Sequence, residues 1–154
     1  MVKRLDKVKG KKGRKLLLLQ NWTILEGEGS RKVIAQMLHS LQSILPLSEE
    51  EQFNFKVVVS ELVNNEFRHG LGSNVHVSVS AFSDAQIELC VYGAQKDFNL
   101  DYELKSQKRK DAAVMESGRG LMLAEALCES LRMDCTCDGN IVRARMQMNG
   151  GNLN

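Results

Sequence analysis

The chain has 154 residues, 43% hydrophobic and 26% charged, enough to bury a core and ordinary for a single globular domain. No apolar run approaches the roughly 18 residues of a membrane span, and the run Leu16–Leu19 is too short for a secretory leader, so the reading contains no span and no signal peptide and expects a cytoplasmic protein. Charge is uneven: residues 1–15 carry +7 against an overall +2, so the remainder carries −5.

The basic stretch 1–15 reads as a flexible arm. A solubilising tail is the simpler reading; an arm for nucleic acid, a membrane or an acidic partner is the sharper one. No aromatic is interleaved with its lysines and the domain behind it is acidic, so nucleic-acid binding is not expected. The body of the domain is then 16–148, with a frayed tail at 149–154.

Leu16 to Leu25 reads as a strand, and Glu26 to Ser30 as a turn with Ser30 as an N-cap. Val33, Ile34, Met37, Leu38, Leu41, Ile44 and Leu45 fall at helical spacing, and Pro46 ends that helix. Ser48 and Glu51 form a capping box that opens a second helix running to a glycine stop at Gly70. Val75 to Ser80 alternates as a half-buried strand does. Ser83-Asp84 turns, and Gln86 to Val91 returns as its antiparallel partner.

Residues 94–117 lose periodicity and gain charge, the pattern of a long functional loop or lid. Gly118-Arg119-Gly120 opens a helix to about Leu131. Met133 to Cys137, the tight turn Asp138-Gly139-Asn140, and Ile141 to Met148 close a last hairpin. The fold class that follows is α+β: a two-layer sandwich, its sheet mainly antiparallel, its helices on one face. The four cysteines, Cys90, Cys128, Cys135 and Cys137, form no Cys-x-x-Cys pair and lack the partners of a zinc site. They read as reduced, mostly buried thiols.

Three features carry chemistry. Glu61, Asn65 and His69 follow one another at i, i+4 spacing and share a helix face. An amide oxygen is a hard ligand for Mg²⁺ and a carboxylate can orient or deprotonate a hydroxyl; a solvated polar face is the bland alternative. Gly118, Arg119, Gly120 and Leu121 stand where a loop enters a helix, so backbone N–H groups and the helix N-terminus can meet an anion; a plain hinge is the alternative. Gly93 follows a strand, where a backbone lets a ligand come close or simply turns.

In this order, SELVNNEFRHG, the strand ending near Gly93, the polar lid, SGRGLMLAEAL and the closing strand with DGNIVRARM resemble the GHKL (Bergerat-fold) histidine-kinase-like ATPases. Among them the chain looks most like the small serine-protein kinases that act as bacterial anti-sigma factors. The resemblance covers roughly residues 15–148. It implies Glu61 as general base or water-orienting group and Asn65 as the Mg²⁺ ligand. Arg68 and His69 would lie beside the nucleotide, and Gly118, Arg119, Gly120 and Leu121 would cradle its phosphates beneath the lid. ATP and Mg²⁺ are the implied cofactors.

One box departs from the family pattern. Relatives carry Asp-x-Gly after the second hairpin strand, the aspartate accepting from the adenine amino group. Alignment on Gly93 puts Val91 there, and Ala94-Gln95-Lys96 supplies no further glycine. Losing a buried base contact costs about 1–3 kcal/mol, so adenine selectivity is in question; Asp97 and Asp101 are the nearby lid carboxylates.

The function the resemblance implies is an ATP-dependent serine/threonine-protein kinase of anti-sigma type. It would regulate transcription by partner switching between a sigma factor and a small antagonist protein, as a homodimer in many relatives. The alternative is a non-catalytic binding module that has lost adenine recognition. His39, on the first helix, reads as a surface or boundary residue rather than a phosphoacceptor.

Overall fold

A computed structural model of the chain describes residues 2–3, 13–26, 29–69, 74–93, 99–109 and 120–148. Six strands form one sheet in the order β1-β2-β3-β4-β6-β5: β1 Val2–Lys3, β2 Leu16–Leu25, β3 Asn74–Phe82, β4 Gln86–Gly93, β5 Ser130–Thr136 and β6 Gly139–Gln147. Every pairing among the described residues is antiparallel. The helices are α1 Gly29–Gln42, α2 Glu49–His69, α3 Leu100–Arg109 and α4 Gly120–Leu127. The α+β sandwich read from the sequence is the fold observed.

Strand alternation builds the core. Val77 pairs with Val91 and Val79 with Leu89; Val91 pairs with Val142 and Leu89 with Ala144. All face the helices and are buried, with Val79, Leu89 and Ala144 at 0% exposure. Each large apolar side chain so buried stabilises the fold by about 1.5–3 kcal/mol before its entropy cost. Phe55, Val58, Val59, Leu62 and Val63 bring α2 onto this face, and Ile34, Met37, Leu38 and Leu41 bring α1.

The capping box is made as read. The Ser48 hydroxyl accepts from the Glu51 N–H at 3.1 Å, and the Glu51 carboxylate accepts from the Ser48 N–H at 3.0 Å. Gly70, the predicted stop, lies outside the described residues. Helix α1 begins at Gly29, so Ser30 sits inside its first turn rather than capping it. It ends at Gln42, and single backbone bonds from Ser43 to His39 and from Leu45 to Leu41 carry the turn towards Pro46. His39 is exposed, as a surface position should be.

Within the basic arm, Val2 and Lys3 pair with Gln20 and Leu19 at the sheet edge; residues 4–12 lie outside the described residues. Three expectations need correction. The polar stretch 94–117 contains a helix, α3. Its pattern is short but present: Leu100, Leu104 and Gln107 fall at i, i+4, i+7 and are buried, and Asn99 caps it by accepting from the Tyr102 N–H at 2.9 Å. Charged residues on the outer face mask that stripe in a composition reading.

Helix α4 stops at Leu127 rather than Leu131, because Ser130 already enters β5 and pairs with Arg145. The thiols are not mostly buried: Cys90 is buried and Cys128 half-buried, but Cys135 and Cys137 are exposed at the β5–β6 end. There Thr136 pairs with Gly139, so Cys137 and Asp138 make the turn. Gly139 begins β6 at φ +140°, a conformation that favours glycine.

Candidate functional site

Helix α2 packs against β3, β4 and α4, and its C-terminal half meets the end of β4 and the start of α4. Glu61 and Asn65 lie along that half one turn apart. Asn65 is 7% exposed, unusual for an amide on a helix that begins in solvent. The Glu61 carboxylate lies against Gly120, the first residue of α4: a Cβ there would collide with Glu61 Oε2 and come within 2.8 Å of its Cδ. The two sequence features that looked weak apart therefore meet in space. His69 is half-buried at the end of the same helix.

Gly93 has the same relation to a second carboxylate. A Cβ there would lie 2.6 Å from Glu66 Cδ and from Oε1, with Oε2 closer still. Glu66 follows Leu62 by four positions and Val59 by seven, so it continues the core-facing stripe of α2 just where the core ends. Its carboxylate consequently reaches the end of β4. Sequence reading passed over Glu66 because a lone acid beside Asn65 carries no motif. The signal available was its helical register with Leu62.

Val91, which alignment on Gly93 sets at the expected aspartate, is 2% exposed, inside the core, and offers no acceptor. Asp101 is on the exposed side of α3; Asp97 lies outside the described residues. So do Gly118 and Arg119. The Leu121 side chain is in the core at 1% exposure, which leaves only its backbone for a ligand. Arg68 lines a different space, a cavity of about 690 Å³ bounded by Glu26, Ser30, Arg31, Ser60, Asn64 and Phe67 between α1 and α2. Its wall is the neighbouring face of α2, away from Asn65.

A further residue missed in the sequence is Gln107 on α3. It is 3% exposed, and its side-chain oxygen accepts from the Met122 N–H at 3.0 Å. That N–H belongs to the first turn of α4, one of the donors a helix leaves unpaired. Lys108 reaches Glu125 at 2.9 Å beside it, a surface pair of small energetic weight. Helix α3 is thereby clasped to α4 beside Gly120.

Among the described residues no group of three or more His, Cys, Asp or Glu converges to hold a metal. A divalent cation here would rest on the Asn65 amide oxygen together with ligand oxygens, the usual manner of Mg²⁺ on phosphates. The Asn65 amide supplies a hard oxygen of the kind such a group takes, with the Glu61 carboxylate one helical turn away. No helix among the described residues is long and apolar enough to cross a membrane.

The model of the histidine kinase-like ATPase domain matches residues 29–146. The chain belongs to that family. Its fold is accordingly that of the histidine kinase-like (GHKL) ATPases. Among solved structures it is similar to the crystal structure of the RsbU and RsbW domains of Rv1364c from Mycobacterium tuberculosis, with a TM-score of 0.57 at 17% identity. The match covers 84% of this chain and 32% of that one, so the chain spans about a third of that protein's length, and the likeness is one of fold. A comparison with curated proteins found no match.

Proposed function

We propose that the junction of α2, β4 and α4 binds Mg²⁺-nucleotide, and that the chain is an anti-sigma-factor-like serine-protein kinase regulating transcription by partner switching. The observation that supports this most is the meeting of Glu61 with Gly120 beside a buried Asn65. A carboxylate meets the start of a helix there, one helical turn from the Asn65 amide, and phosphoryl transfer asks a protein chiefly for positioning and charge stabilisation. When bound, ATP would supply the phosphoryl group and Mg²⁺ would offset its charge. Asn65 would hold the cation, backbone N–H groups at the α4 N-terminus would bind the phosphates, and Glu61 would orient or accept the proton of a serine or threonine hydroxyl on a small antagonist protein. The sigma factor docks elsewhere on the domain, and a homodimer is the working assembly.

The test is calorimetric titration of the full chain with ADP and with a non-hydrolysable ATP analogue, each with and without Mg²⁺. Magnesium-dependent binding that Asn65→Ala abolishes is the expected result. Transfer of phosphate from ATP to an antagonist protein, lost in Glu61→Ala, then completes the case. No binding at millimolar nucleotide overturns it.

The burial of Val91 favours a second reading, a non-catalytic module that sequesters its partner without turnover. It requires that Glu61→Ala leave both partner binding and transcriptional output unchanged; lost output in that variant excludes it.

A further inference from the structure

The geometry points to Glu66 as the residue that reads the base: its carboxylate, at the end of β4, accepts hydrogen bonds from the donor edge of a purine nucleotide. This rests on the nucleotide-binding reading above.

Three observations lead to it. Val91 is buried among Val77, Val142 and the α2 side chains and has no polar atom to offer. Glu66, alone among the acids of α2's second half, continues the stripe of Val59 and Leu62 and lies half-buried against the end of β4. Its three carboxylate atoms occupy the space where a Cβ on residue 93 would be, so a glycine at that point is what lets an acid reach so deep. Asn65, the neighbouring residue, lies between Glu66 and Glu61 on the helix. In the proposed pose the phosphates lie at Asn65 and Gly120 and the base extends towards Glu66 and Gly93.

A carboxylate only accepts. It selects a base that presents donors, the amino group of adenine or the ring N–H and amino group of guanine, and it disfavours a base edge without them. A hydrogen bond to a charged acceptor discriminates more strongly than a neutral one.

The experiment is titration of the full chain, in Mg²⁺, with ADP, GDP and purine riboside diphosphate, which has the same phosphates and ring but neither an amino group nor a ring N–H. The wild-type chain should bind ADP or GDP about ten- to a hundred-fold more tightly than the donor-free analogue. Glu66→Ala should collapse that ratio towards one while binding of the analogue stays within a few-fold. Glu66→Gln, which keeps one acceptor oxygen, should retain an intermediate ratio, and both variants should keep the wild-type circular dichroism spectrum. Equal wild-type affinity for all three ligands overturns the assignment and leaves the nucleotide reading intact. A ratio unchanged in Glu66→Ala does the same, as does uniformly tighter binding in that variant, which would make the side chain an obstruction. Absence of binding by every nucleotide overturns both.

Discussion

The Glu61 carboxylate occupies the place where a Cβ of Gly120 would stand. Residue 120 must therefore remain glycine if Glu61 is to keep its position at the start of α4.

Gly120→Ala should separate site from scaffold. The added methyl meets the far end of a flexible side chain, which can swing away, and alanine is the better helix former by about 1 kcal/mol. Thermal melting should shift by only a few degrees, while affinity for Mg²⁺-ADP falls at least several-fold. The double variant Glu61→Ala/Gly120→Ala should melt at or above the single Gly120→Ala variant, because the collision is gone.

Loss of the α2 cap should be purely a stability effect. Ser48→Ala removes the acceptor of the Glu51 N–H and should cost about 1 kcal/mol in urea denaturation. The slope of the transition should not change.

The clasp between α3 and α4 should loosen in Gln107→Ala. The Met122 amide should exchange its hydrogen about ten-fold faster or more, with global stability lowered by about 1 kcal/mol. Lys108→Ala, which removes only the exposed pair with Glu125, should change stability by less than about 0.5 kcal/mol.

Thiol chemistry should divide the cysteines two and two. Cys135 and Cys137 are exposed and should alkylate first under native conditions, as read by mass spectrometry. Burial, aided by the nearby Glu125 charge, pushes the Cys128 thiol up to about 12 from 9.0. Burial also raises Cys90, against the opposing pull of Arg143. These two should label slowly at pH 8–9 and at ordinary thiol rates in denaturant. The folded chain holds the Cys128 proton to higher pH than the unfolded chain, so this group's contribution to stability is complete below pH 9 and declines as pH rises towards 12.

Local signals made much of the fold legible. The capping box at Ser48–Glu51, the alternation of Val75 to Ser80 and the helical period from Val33 to Leu41 each lie within a few residues, and each element formed where its own neighbours specify it. Helix α3 was hidden because its apolar stripe, Leu100 and Leu104, is only two residues wide and completed by a glutamine. A composition reading sees the charges of that segment and not the stripe. The far boundary of α4 was misplaced because apolar Leu131 serves a strand as readily as a helix, and pairing with Ala144 on β6 decides between them.

The sequence by itself determined the element types, the α+β class, and the presence of Glu61, Asn65 and Gly120 as residues able to serve one chemistry, because periodicity, caps and functional groups are properties of short segments. Only the tertiary structure decided which of them meet. It set Glu61 against Gly120, brought Glu66 to Gly93, turned Arg68 to another cavity and gave the Met122 N–H to Gln107. Those relations depend on how deeply α2 settles onto β4 and α4. That depth is fixed by the packing of Phe55, Val59 and Leu62 against the sheet, an interaction between segments that no single segment encodes.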